Sequence, residues 1–197
     1  MPLSKQHKQE SRDRILNSAI LLFFQFGYEK VSIDNVMKKA GLTRGAFYAH
    51  FSSKAVLYHQ SLTFAAKSTH LASGKPAHLS NKDWLYQLVG MYLSLEHLKL
   101  ETPPCPIAFM ALEAKAHEKQ VRDAYTLAYQ NMKEALLTLT DQGICKEAEI
   151  LPLIALMVGS VCISKTLTNK NEQMKLLANS KDAAFSILDS RIFNKDT

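Results

Sequence analysis

The stretch GLTRGAFYAHFSSK, residues 41–54, combines side chains that no single environment suits. Phe47 and Phe51 are four residues apart and share one face of a helix. Arg44 and Tyr48 are also four apart, on a row offset by three residues, so they project from another face. A core helix has no use for the second pair, and a surface loop has no use for the first. Immediately upstream, Ile33, Val36, Met37 and Ala40 form the apolar face of a short helix that Ser32 can cap and Gly41 can stop. Before that, Ile15, Ala19, Leu22, Phe23 and Phe26 recur at helical spacing in a helix that Gly27 closes.

Two short helices joined by Gly41-Leu42 read as a helix-turn-helix, whose second helix enters the major groove of DNA. Phe47 and Phe51, with Leu42, then anchor the second helix to the first two, and Arg44 and Tyr48 face outward. Gly45 has no side chain to keep the backbone away from DNA. Thr43 offers a hydroxyl at a helix start whose N–H groups suit a phosphate, and Lys54 opens the following helix where a second phosphate can rest. His50 reads as a packed structural residue, whereas Lys5, Lys8, Arg12 and Arg14 read equally as an arm for DNA or a frayed tail.

Charge follows the same division. Of the net charge of +6, residues 1–60 carry nine Lys and Arg against four Asp and Glu, and the remaining residues fifteen against fourteen. A basic end on a nearly neutral body fits a polyanion partner. The apolar share of 47% supports a real core. The N-terminal residues lack the apolar run of a signal peptide. The longest apolar stretch, ILPLIALMVGSVCI at 150–163, is short of the roughly 20 residues of a membrane span and reads as a core helix. Cys105, Cys145 and Cys162 are odd in number and far apart, which suits reduced thiols in a cytoplasmic protein. No CxxC, HExxH or phosphate-cradling glycine loop occurs, so the expectation is no enzyme, no metal and no cofactor. A Cys–His pair built from His97, Cys105 and His117 is not demanded by any spacing.

The span from about Arg12 to Tyr58 resembles the TetR family of transcriptional regulators, through FGYEKVSIDNVMKKAGLTRGAFYAHFSSKAVLY and above all its G-L-T turn, the F-Y-x-H-F run and the Ser53-Lys54 pair. The resemblance implies an all-α homodimer with N-terminal DNA-binding heads, usually a repressor released from its operator by a small ligand. By position it implies phosphate contacts from Ser32, Thr43, Tyr48 and Lys54 and base contacts from Arg44 and Gly45. Ala49 stands where relatives often carry a larger residue, which leaves at most a contact to a thymine methyl there.

The fold expected is thus all-α with about nine helices. A three-helix helix-turn-helix head spans 1–53, and a helical ligand-binding and dimerisation body spans 54–197. SGKPAHLSNKD (73–83) reads as a linker, followed by helices near 82–100, 104–116, 117–142, 147–168 and 171–190. PPCPIAFMALEA (103–114) sets Phe109, Met110 and Glu113 one turn apart, and Trp84, Met91 and Tyr92 come from the preceding helix. With Tyr125, Tyr129 and Met132 they read either as the lining of a small-molecule cavity or as plain core. Cys105, between two prolines at a helix start, reads either as a reactive redox or electrophile-sensing thiol or as an inert core residue. Ala155, Gly159, Ser160 and Ser164 let two copies of the 153–167 helix approach, with Phe185, Ile187 and Leu188 completing a four-helix dimer contact. The partners expected are duplex operator DNA, a second copy and a small effector, with no membrane; a helical protein-binding adaptor is the remaining alternative.

Overall fold

Ser32, Ser80, Ser94 and Asn169 each present a side-chain oxygen to a backbone N–H two or three residues on, and so set where four of the helices begin. The computed structural model describes residues 5–68, 74–99, 105–108, 119–140 and 147–193, of which 66–68, 120, 191 and 193 are described by backbone alone. In chain order the helices are α1 (Lys5–Lys30), α2 (Ile33–Ala40), α3 (Arg44–Phe47), α4 (Lys54–Ser68), α5 (Asn81–Tyr92), α6 (Leu95–Leu98), α7 (Lys119–Leu139), α8 (Glu147–Thr166) and α9 (Lys170–Ile187). A π-helical turn, Leu188–Phe193, follows, and residues 106–108 are also helical. No strand occurs among the described residues, and the fold is all-α as expected.

The head is α1 wrapped by α2 and α3. Gly27, at φ 80° and ψ 165°, breaks α1 where the sequence places its stop. The buried face of α1 is wider than a single stripe: Ile15, Leu16, Ala19, Ile20, Phe23 and Phe24 are all inside, whereas Phe26 is 49% exposed. A helix that packs against α2 on one side and α4 on another buries two adjacent rows, which pushes Phe26 outward. The helix also begins ten residues before Ile15, at Lys5, so residues 5–14 are helical and not a frayed tail. Two of those residues are fasteners. Arg12 donates to Gln60 Oε1 at 2.6 Å and lies 4.7 Å over the Phe51 ring, and Arg14 reaches the end of α2.

Below the head, α4 is the shared wall: one side packs on α1 and another on α7. Tyr58 on α4 is fully buried, edge-on to Phe23 at 4.9 Å and to Tyr28 at 4.9 Å. A second tie joins head and body, since Lys165 Nζ donates to the Phe24 carbonyl at 3.0 Å near the end of α1.

Three further expectations are corrected in the body. The single helix near 82–100 is two, because Leu93 leaves helical geometry and Ser94 caps α6. The helix α5 starts inside the stretch read as a linker, where Ser80 accepts from the Asp83 N–H at 3.0 Å. Of the small residues on α8, Ser160 and Ser164 are buried, and the Ser160 hydroxyl lies 2.8 Å from that of Ser180 on α9. They serve packing within the chain. The outward stripe is Leu151, Ala155, Gly159 and Ile163, each four residues from the last. Leu188 is likewise fully buried and Phe185 packs on Tyr86 at 5.0 Å, so these two face their own body; Met174 is the exposed large apolar residue among those described on α9. Helix α8 is long and apolar enough to cross a membrane by length and composition. Its buried serines and its packing against α7 and α9 fit a helix of a folded body instead.

Candidate nucleic-acid interface

The reading helix owes its position to a short chain of contacts. At the end of α2, Gly41 adopts the left-handed conformation (φ 65°, ψ 36°). Its N–H donates to the Lys38 carbonyl at 3.1 Å and that of Leu42 to Met37 at 3.0 Å, the pattern of a Schellman stop. Arg14 Nη2 donates to the adjoining Ala40 carbonyl at 2.5 Å, so a cation closes the negative end of α2. The chain then turns into α3. The N–H groups of His50 and Phe51 both donate to the Phe47 carbonyl at 2.9 Å, carrying the helical turn past the formal end of α3. Phe47 and Phe51 are buried with ring centroids 5.7 Å apart.

That anchoring leaves the opposite row outside. Thr43, Arg44, Gly45 and Tyr48 are all exposed, Tyr48 by 59%. Tyr48 stands edge-on against Phe47 at 5.2 Å, which steadies its ring without burying its hydroxyl. Thr43 has the extended backbone of a cap residue but its side chain makes no capping bond, so its hydroxyl is not spent on α3. An added Cβ at Gly45 meets only Thr43 Oγ1, at 4.0 Å, so nothing within the chain demands glycine there. Any need for the missing side chain comes from outside.

Ser32 and Lys54 are more engaged than their sequence reading implies. Ser32 and Asn35 form a capping box, with Asn35 N–H donating to Ser32 Oγ at 3.1 Å and Ser32 N–H donating to Asn35 Oδ1 at 3.0 Å. Lys54 Nζ donates to the Glu29 carbonyl at 3.4 Å and lies 4.2 Å over the Tyr28 ring, which aims the ammonium at the turn after Gly27. Ser53 is the residue that caps α4, accepting from the Val56 N–H at 3.1 Å.

One residue absent from the sequence reading stands among these. Asp34 Oδ2 accepts from Arg44 Nη1 at 2.8 Å, with both side chains more than half exposed. A surface pair of this kind contributes about 0–1 kcal/mol to stability. The signal in the sequence was an acid in the first turn of α2, which the helix dipole alone would explain. His50 is half-buried, and burial, with Lys8 and Arg12 nearby, lowers its pKa.

The residues read as a ligand cavity fare unevenly. Phe109, Met110 and Glu113 lie outside the described residues, as does Cys145. Trp84, Tyr125 and Tyr129 are partly buried against the core, and Met91 faces out at 53% exposure. A polar cluster does form. Tyr125 donates to the Ile107 carbonyl at 2.9 Å, the Cys162 thiol to the Ala108 carbonyl at 2.9 Å, and His97 stacks on Tyr92 at 4.6 Å. Burial pushes the Cys105 thiol up; the Tyr92 hydroxyl and the N–H groups of Ile107 and Ala108 pull the other way and do not offset it. A helix start can activate a thiol, but here desolvation outweighs it. Burial also raises Tyr125 to about 12 and lowers His97 to about 4. Among the described residues no cluster of His, Cys, Asp and Glu is arranged to hold a metal ion.

A buried aromatic anchor under an exposed polar row, on the second helix of a helix-turn-helix, is an arrangement that can present side chains to the major groove of DNA. Comparison with known proteins points the same way. Residues 15–60 match the model of bacterial regulatory proteins of the tetR family. The chain is 44% identical over 57 residues to the HTH-type transcriptional regulator AcrR of Shigella flexneri, which is 29% of this chain and 26% of that protein. It is 35% identical over 51 residues to the biofilm operon icaADBC HTH-type negative transcriptional regulator IcaR of Staphylococcus aureus strain Newman, 26% of this chain and 27% of that one. These matches span only about a quarter of the length of the curated relatives. The whole fold is similar to a TetR transcriptional regulator of Chloroflexus aurantiacus, with a TM-score of 0.76 at 22% identity over 95% of this chain and 98% of that one. It is also similar to a regulator of Saccharomonospora viridis solved in complex with choline, with a TM-score of 0.70 at 21% identity over 93% and 98%. Residues 15–60 thus carry a head of the tetR family, and the whole chain shares its fold with TetR-family regulators.

Proposed function

We propose that the protein is a repressor that binds a palindromic duplex operator as a homodimer in the cytoplasm and leaves it when a small, mainly apolar effector binds. Residues 1–53 act as the DNA-binding head and 54–197 as the ligand and dimer body. Arg44 and Gly45 face base edges, and Thr43, Tyr48, Lys54 and Ser32 face phosphates. The observation that carries this reading is the exposed row Thr43, Arg44, Gly45 and Tyr48 on a turn clamped from behind by buried Phe47 and Phe51. Repression follows the description of IcaR as a negative regulator, and a small effector follows the choline bound to the Saccharomonospora regulator. The dimer reading uses the outward stripe Leu151, Ala155, Gly159 and Ile163 with Met174, an apolar face that a second copy would cover.

Release by an electrophile through Cys105 is disfavoured, because a buried thiol held in its neutral form is a poor nucleophile. An adaptor that binds only protein leaves the basic head without a use. The effector site is assigned to Trp84, Tyr125 and Tyr129 with Phe109, Met110 and Glu113, and α4 is the link from body to head. Selection from a randomised duplex library, followed by size-exclusion chromatography with light scattering on the selected duplex, tests the proposal. A twofold-symmetric motif bound by a dimer is expected; a monomer on DNA, or no enriched motif, overturns it.

A further inference from the structure

The helix-turn-helix and the turn after it, residues 31–54, hold Lys38, Lys39, Arg44 and Lys54 but a single carboxylate, Asp34. That carboxylate is not used in the capping box of α2, whose reciprocal partner is Asn35. It reaches across to α3 and holds Arg44 Nη1 at 2.8 Å, on the exposed surface. An acid so placed is costly for DNA binding, since it faces phosphates with a like charge, and an exposed ion pair gives little to the fold in return.

We infer that Asp34 is a positioning residue that determines specificity, by fixing the guanidinium of Arg44 for one base pair and by repelling the backbone of wrongly docked DNA. The inference rests on the reading of Arg44 as a base contact. Arginine presents five N–H donors in a planar fork, and guanine is read by two parallel bonds to O6 and N7. With Nη1 engaged by Asp34, the guanidinium is biased towards one orientation before DNA arrives, and the Nε and Nη2 edge stays open for a bidentate contact. A free arginine would lose that rotational freedom on binding and could swing to a phosphate, a contact that carries no sequence information. The carboxylate suppresses this second use too, because a phosphate approaching Arg44 must also approach Asp34. Favourable orientation and selective repulsion thus come from one side chain.

The test compares the parent with Asp34→Asn and Arg44→Ala on a randomised duplex library, with affinities for the selected and an unrelated duplex at two salt concentrations. Arg44→Ala is expected to lose about 5–150-fold discrimination at one base pair per half-site. Asp34→Asn is expected to lose at least about threefold at that same base pair and to bind the unrelated duplex about two- to tenfold more tightly, most of all at low salt. If Arg44→Ala loses its base pair while Asp34→Asn keeps it, or loses a different one, or gains nothing on unrelated DNA, the role of Asp34 is wrong and that of Arg44 stands. If Arg44→Ala weakens all sequences alike or none, the base-contact reading fails first.

Discussion

Replacing Gly41 by alanine tests the construction of the reading head at its tightest point. The backbone there has φ 65°, where an L-residue with a Cβ costs about 1–2 kcal/mol. Part of that is offset by the lower chain entropy of alanine in the unfolded state, about 0.4–1 kcal/mol, leaving roughly 1 kcal/mol. The new Cβ also falls 3.0 Å from Arg14 Nη2. The end of an arginine is usually easy to displace, but this one is held by the Ala40 carbonyl at 2.5 Å. Moving it gives up some of a charge-assisted bond that is worth about 1.5–3 kcal/mol. Gly41→Ala should therefore cost about 2–4 kcal/mol, a fall in Tm of about 5–15 °C for a chain of this size. Arg14→Met removes the cation first, and in that background Gly41→Ala should cost only the backbone share of roughly 1 kcal/mol. Thermal melts followed by circular dichroism give all four corners of the cycle. An equal cost of Gly41→Ala with and without Arg14, or no cost at all, refutes the reasoning.

Other outcomes follow from single contacts. Lys54→Ala should weaken all duplexes alike and flatten the salt slope by about 1, measured by titration at several salt concentrations. Ser160→Ala leaves the Ser180 hydroxyl on α9 without its neighbour at 2.8 Å, so it should cost about 1–2 kcal/mol by chemical denaturation, and Ser160→Ala/Ser180→Ala less than the sum of the single changes. His97 is neutral in the fold, with a pKa lowered to about 4 by burial, against 6.5 when free. The unfolded chain then binds the extra proton first, so stability is full above about pH 6.5 and falls towards pH 4, by at most about 3 kcal/mol. His97→Phe should flatten that part of the pH–stability profile. Cys105 should resist alkylation by iodoacetamide until the chain unfolds, as peptide mapping by mass spectrometry would register.

The head was legible because its signals are local. Glycine stops, the Ser32 cap and the two rows four residues apart determine short helices without help from elsewhere. What escaped depends on partners distant in sequence. Nothing near Arg14 announces that it closes α2, and Asp34 looks like an ordinary first-turn acid until α3 brings Arg44 to it. In the body, periodicity located the helices but not which face turned inward. Ser160 and Ser164 look like small residues for a second copy, and only the seating of α9 shows that they are used within the chain. The Cys105 reading turned on a balance between helix start and burial, and burial is a property of the whole fold.

The seating of Tyr58 bears on how this head can be recombined with other bodies. The side chain belongs to α4 but completes the packing of Phe23 and Tyr28 in the head, while the same helix rests on α7 behind it. A chimera joined at residue 53 would hand that socket to whatever residue a foreign helix happens to bring. The span that matches the family runs to residue 60 and so includes Tyr58. A graft that retains operator binding has to carry the first turns of α4, through Leu62, and the new body must then accept that helix as one of its own walls. The unit that reads DNA and the unit that can be moved are therefore different lengths of chain.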